Sequence, residues 1–211
     1  MDGAWRPRVH GATGRWWRVD QPQGSSGFDV QGRGRFWIGW PEDEPATKVW
    51  VQHVMGETDT TLDDQLHLRT AWQRAQIPEI AESPYIRRVL DFADAFDLYL
   101  FHELATGSLD ETLKAGDVEA GDVEAVEHNV RAALETLHDL GYVHSDVRED
   151  NVLQVDGVWK LSDLGGSVRV GEEVRWFQRD LQYRHPSIEE GTRAETTFDW
   201  YAFSAMVDNL A

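Results

Sequence analysis

The stretch VEAVEHNVRAALETLHDLG, residues 123–141, constrains the fold of this chain most. Val126, Val130, Ala133, Leu134, Leu137 and Leu140 recur at helical spacing, and Gly141 sits where a C-terminal cap belongs. A helix with one such stripe has to dock on a core. Directly after it, GYVHSDVREDNVL places His144, Asp146 and Asn151 in a short polar loop between apolar flanks. NVLQVDGVWKLSDLG then reads as two short strands around Asp156-Gly157, a hairpin turn pair. Asp163 stands twelve residues beyond Asn151, in the tripeptide DLG.

The first 60 residues read differently. WWRV, GRFWIGW and KVWVQHVM are rich in Trp, Val, Ile and Phe and predict strands, the last two joined by the turn-rich PEDEPAT. LDDQLHLRTAWQRAQ, residues 62–76, predicts a helix with its apolar face on Leu62, Leu66 and Trp72 or Gln73, ended by Pro78. Residues 87–104 predict two short strands around a turn at residues 93–96. Gly107 breaks the chain, Ser108 caps a short helix from Leu109, and AGDVEAGDVEA, a five-residue unit written twice, reads as a lengthened surface connection. FDWYAFSAMVDNL, residues 198–210, is apolar nearly all round and predicts a buried helix. The expected fold class is α+β in two lobes: a β-rich lobe over residues 1–104, its first 27 residues an extension, and a mainly helical lobe over 105–211. A hinge near residues 103–108 divides them.

Charge narrows the partners. The formal net charge of −18 repels nucleic acid and anionic lipid, so neither is an expected partner. There is no Cys, so disulfides and Cys-ligated zinc are excluded. The eight His are scattered, with no H-x-x-x-H pair on a helix, so no zinc site is expected. No apolar run reaches the roughly 18 residues of a membrane span, and the first residues lack the apolar core of a signal peptide. The default expectation is a soluble, cytoplasmic protein. Three Lys stand against seventeen Arg and 38 acids, which resembles the composition of salt-adapted, haloarchaeal-type proteins.

Asp and Asn oxygens are hard ligands, suited to Mg²⁺ bound to phosphates. An Asp that accepts a hydroxyl proton, with an Asn and a second Asp on metal, is the set phosphoryl transfer needs. LHDLGYVHSDVREDNVL followed by VWKLSDLGGS resembles the catalytic loop and metal-binding segment of the protein kinase superfamily. The pattern H-R-D-x-x-x-x-N is matched by His144-Ser145-Asp146 with Asn151, and D-F-G by Asp163-Leu164-Gly165. The resemblance implies that Asp146 orients the substrate hydroxyl, that Asn151 and Asp163 hold Mg²⁺, and that Arg148 replaces the usual phosphate-contacting Lys. It makes His102 the gatekeeper and lets Glu103 to Ala105 offer backbone groups to adenine. It also makes Asp199, in FDWYAF, a brace for the catalytic loop, and aligns Pro186 with the A-P-E region, where Ser187 replaces Glu.

Elsewhere the family pattern is broken. Gln52 or His53 falls where the strand Lys belongs, with Lys48 an early substitute. The partner Glu position falls near Gln73 or Arg74. Gly32, Gly34 and Phe36 give only a partial phosphate-covering loop, and Ser145 replaces the Arg that receives an activation-loop phosphate. The further helices of most protein kinases are absent from this sequence, which implies a minimal, truncated second lobe. Trp16, Trp17, Trp37 and Trp40 are expected to pack an extended first lobe. The resemblance implies transfer of the ATP γ-phosphate to a Ser or Thr hydroxyl, with ATP and Mg²⁺ as cofactors and a protein as substrate or binding partner. A pseudokinase that serves as a nucleotide-binding scaffold, and a small-molecule kinase, are the rival readings.

Overall fold

The apolar strands predicted near the N-terminus assemble into one antiparallel sheet in a computed structural model of the chain, which describes residues 7–20, 28–29, 35–54, 62–95, 97–174 and 181–210. The chain divides into two compact units, residues 1–73 with 88–104, and residues 74–87 with 105–211. The expected single cut at residue 104 thus differs at one segment: residues 74–87 group with the second unit. The backbone shows why, since Leu161 exchanges hydrogen bonds with Tyr85 and Arg87, both at 2.8 Å.

In the first unit the strands are β1 (Arg8–His10), β2 (Trp16–Asp20), β3 (Phe28–Asp29), β4 (Arg35–Pro41), β5 (Val49–Val54), β6 (Val89–Asp94) and β7 (Leu98–Glu103). Their order is β1-β2-β4-β5-β7-β6, with β3 on β4. Strand alternation sorts the sheet into two faces. Val9, Trp17, Val19, Trp37, Val49, Val51, Tyr99 and Phe101 form one core, with Trp17 and Phe101 stacked at 4.4 Å. Val54, Phe92, Leu98 and Leu100 form the other, against α1 (Leu62–Ala75).

Helix α1 packs through Leu68 and Ala71, whereas Leu62 is 85% exposed and Leu66 39%. This corrects the expected apolar face at Leu62 and Leu66; the expected Trp72 does pack there, stacked on Phe92 at 6.0 Å. Pro78 does not end α1, which stops at Ala75; it opens a single turn, α2 (Pro78–Ala81).

The N-terminal hairpin is fixed by a buried carboxylate. Asp91 is fully buried and accepts hydrogen bonds from Trp17 Nε1 (2.7 Å), Thr13 Oγ1 (2.6 Å), Thr13 N (3.1 Å) and Phe92 N (2.8 Å). Gly11 makes room for it: a Cβ there would lie 1.8 Å from Asp91 Oδ2.

In the second unit, α3 (Leu109–Ala115) starts in a capping box, with Ser108 Oγ accepting from Glu111 N and Glu111 accepting from Ser108 N. The helix predicted from residue 123 begins earlier, as α4 (Ala120–Asp139). The second GDVEA copy is helical rather than a surface connection, because Asp122 accepts from Glu119 N at 3.1 Å and from Trp159 Nε1 at 3.0 Å. The α4 stripe of Val126, Val130, Ala133, Leu134 and Leu137 is fully buried in the main core of this unit.

Three short pairings complete it. After β8 (Gly107–Ser108) and β9 (Tyr142–Val143) come β10 (Val152–Val155), β11 (Val158–Leu161) and β12 (Val168–Arg169), paired β11-β10-β8 and β12-β9. Asp156 and Gly157, at φ 50° and 79°, make the predicted tight turn. Helix α5 (Thr196–Asp208) buries Phe198, Asp199, Ala202, Phe203 and Met206. It is buried on one face only, since Tyr201, Ser204 and Asp208 are exposed, which corrects the expectation of burial all round. No helix among the described residues is long and apolar enough to cross a membrane.

Candidate active site

The loop of residues 144–151 is held by one buried residue of α5. Asp199 is 1% exposed and accepts from His144 N at 2.7 Å, Ser145 N at 2.9 Å and His138 Nε2 at 2.8 Å. These bonds secure Ser145 in a left-handed conformation, φ 70°, that a non-glycine residue adopts only when its surroundings impose it. The brace expected of Asp199 is present. His138, at the end of α4, is a third member of it that the sequence does not announce.

His144 is fully buried, and its two ring nitrogens play different parts. Nε2 donates to Ser162 O at 2.8 Å, and Nδ1 accepts from Asp146 N at 3.2 Å. The two bonds together fit the tautomer with hydrogen on Nε2. Asn151 Nδ2 donates to Asp146 Oδ2 at 2.9 Å and to Asp146 O at 2.7 Å. With that nitrogen committed, Oδ1 is the atom of Asn151 with ligand chemistry. Ser162 N and Oγ donate to Asn151 O at 2.8 and 3.0 Å. Ser162, the residue directly before Asp163, therefore ties His144 and Asn151 together; Asp163 takes a left-handed conformation at φ 64°. The signal of Ser162 in the sequence is a hydroxyl placed directly before DLG. Arg148 pairs with Asp150, so its guanidinium already has a carboxylate partner.

The strand position is less equipped. Gln52 and His53 are both buried, on opposite faces of β5. His53 pairs with Tyr99, stacks on it at 4.6 Å and donates to Asp97 Oδ2 at 2.9 Å. Burial, then the nearby Asp97, pushes the Tyr99 phenol well above its ordinary range. Gln52 pairs with Leu100 on the face that α1 covers, so of the two it is the one with the α1-facing register. Lys48 lies over the Trp40 ring at 4.1 Å and donates to Pro45 O at 3.1 Å, held at the strand's start.

Gln73 is exposed, and Arg74 donates to Ser167 Oγ at 3.2 Å and lies 4.2 Å from the Tyr142 ring centroid. Burial lowers the Arg74 pKa, and the neighbouring Arg169 adds to that. Glu103 is bonded to Arg88 through both backbone and side chain. Gly32 and Gly34 lie outside the described residues. Among the described residues, no three His, Asp or Glu side chains cluster as a metal site; the expected pair, Asn151 and Asp163, is one amide and one carboxylate.

A braced Asp–Asn loop, a hairpin leading to a left-handed Asp, and a buried helix aspartate behind both are the parts of a protein kinase large lobe. Residues 46–211 match the protein kinase domain family, and the chain belongs to it. It is 28% identical over 171 residues to the serine/threonine-protein kinase tricornered of Drosophila melanogaster, covering 78% of this chain and 36% of that one. It is 34% identical over 92 residues to the serine/threonine-protein kinase SMU1 of Mycosarcoma maydis, covering 41% and 12%. It is 32% identical over 108 residues to Bradyzoite pseudokinase 1 of Toxoplasma gondii, covering 50% and 28%. The matched stretches span little more than a third, at most, of these relatives.

Proposed function

We propose that this chain is a phosphotransferase that moves the γ-phosphate of ATP to a Ser or Thr hydroxyl of a protein, with Mg²⁺. The observation that carries the reading is the double hydrogen bond from Asn151 to Asp146, because it fixes the carboxylate that would take the hydroxyl proton. Asn151 Oδ1 and the Asp163 carboxylate are hard oxygen donors and fit a magnesium ion. When bound, the cation neutralises charge on the phosphates. Asp146 orients and deprotonates the acceptor. Arg148 exchanges Asp150 for a phosphate oxygen. Gln52, the backbone of Glu103 and Ala105, and the glycines Gly32 and Gly34 take the nucleotide.

One observation favours a second reading, a nucleotide-binding pseudokinase: an uncharged Gln52 stands at the α1-facing strand position. Losing one preorganised charge-stabilising donor costs about 10²–10³ in rate. Enzymatic accelerations are far larger, from about 10⁶ upward. The intact loop therefore keeps phosphotransfer the better-supported reading.

The test is transfer of ³²P from ATP to protein, at low and molar KCl, with Asp146→Asn alongside. Label that the variant abolishes supports the reading. Label that persists in the variant overturns the assignment of Asp146. No label in either protein, with ATP still raising the melting temperature, establishes the pseudokinase.

A further inference from the structure

Glu149 is a buried carboxylate with no part in the reading above. It lies three residues after Asp146 and two before Asn151, and is 6% exposed. Its Oε2 accepts from the hydroxyl of Tyr183 at 2.5 Å, and its Oε1 from Asn209 Nδ2 at 2.9 Å. Asn209 Nδ2 also lies 3.1 Å from the Tyr183 hydroxyl oxygen. Burying a carboxylate is costly unless hydrogen bonds compensate it, and an apolar residue would fill the same space without that cost. The residue is thus better explained by what it connects than by packing.

It connects three segments of the second unit. Glu149 opens the single 3-10 turn that ends at Asn151. Tyr183, itself 4% exposed, belongs to the segment 181–188. Residues Leu181, Arg184, His185, Pro186 and Ile188 of that segment line, with Tyr201, an open depression of about 360 Å³. Asn209 caps the end of α5, the helix that also carries Asp199. One helix therefore holds both halves of the loop, residues 144–145 through Asp199 and residue 149 through Asn209.

We infer that Glu149 is a positioning residue: with Tyr183 and Asn209 it couples the segment 181–188 to the turn that presents Asn151 to Asp146. Only the kinetic consequence rests on the phosphotransferase reading. The coupling itself is a property of the folded chain.

The test uses the full chain and the variants Tyr183→Phe, Glu149→Gln and their double. Amide hydrogen exchange is read over residues 146–152 and 181–188. Tyr183→Phe removes one hydroxyl and keeps the ring, so the fold survives it. It is expected to speed exchange in residues 146–152, and Glu149→Gln to speed exchange in residues 181–188. In transfer assays normalised to ATP-binding sites, each single variant is expected to lower kcat about three- to tenfold. KM for ATP stays unchanged, and the double variant is no slower than the worse single one, as expected for residues acting as a unit. Exchange that rises only around each substituted residue overturns the inference, and so do kcat losses that multiply in the double variant. If the wild-type chain transfers no phosphate, the phosphotransferase reading fails, and the reciprocal exchange result still decides the coupling.

Discussion

Strand β5 and the loop of residues 144–151 each bury polar side chains, one in each unit, and they use them in opposite ways. On β5 each polar residue answers to its own neighbours: His53 to Tyr99 and Asp97, Gln52 to the α1-facing side. A strand's alternation gives each side chain one face and a few contacts, so a change at one position stays local. In the loop, Asp199 receives three donors, His144 uses both ring nitrogens, and Ser162 bonds with both His144 and Asn151. Moving any one of these groups leaves a buried partner unsatisfied. The loop's shape is over-determined, whereas the strand tolerates a residue that carries no charge. A protein kinase domain can thus keep the hydrogen-bond network of this loop while β5 buries Gln52 and His53.

The largest expected effect tests the loop. Asp146→Asn keeps an oxygen to accept from Asn151, so the melting temperature should stay within about 2 °C, while phosphotransfer falls at least about a hundredfold. A variant with more than a tenth of the wild-type rate would remove the loop from the chemistry. Next comes the brace. Asp199→Asn presents one oxygen to three donors, leaving at least one buried group unpaired at about 1–3 kcal/mol. At this chain length, about 2–4 °C per kcal/mol, a thermal shift of about 2–12 °C follows, readable by calorimetry. An unshifted transition would mean that the loop is held by something else.

The strand side gives the third prediction. Gln52→Lys is expected to raise the transfer rate about tenfold and to lower KM for ATP, because it adds the one charge the strand lacks. Unchanged kinetics would show that another cation already serves there. The smallest effect concerns Tyr99, whose folded pKa is raised by burial and by Asp97. Its contribution to stability is fully present below about pH 10, the unfolded value, and is lost as pH rises beyond it, since the unfolded chain then releases a proton that the fold retains. Melting temperature measured from pH 8.5 to 11 should fall less steeply in Tyr99→Phe. Equal slopes would place the alkaline transition elsewhere.

Features set by near neighbours in the chain were legible in the sequence. Asp156-Gly157 marked its turn, Ser108 the start of its helix, and His144 to Asn151 their loop. Each depends on residues a few positions apart. The choice between Gln52 and His53 was not legible, because both sit in an unbroken apolar strand, and only the pairing with Leu100 and Tyr99 assigns their faces. The packed side of α1 was only partly read, because Leu outweighs Ala in a sequence pattern: Trp72 packs as expected, but its buried companions are Leu68 and Ala71 rather than Leu62 and Leu66. The start of α4 was misread because the two GDVEA copies have identical letters; the second became helical through Trp159, 37 residues away. Glu149 escaped for the same reason, with partners 34 and 60 residues distant.

The carboxylate of Asp91 has a practical consequence. The family match begins at residue 46, yet the donors that satisfy Asp91 come chiefly from Thr13 and Trp17, and β1, β2 and β4 lie before that boundary. A fragment cut at residue 46 would strip the sheet of its outer strands and leave a charged group facing an opened apolar layer. Expression of residues 46–211 alone is therefore expected to give more aggregated protein than expression of the full chain, as read by sedimentation.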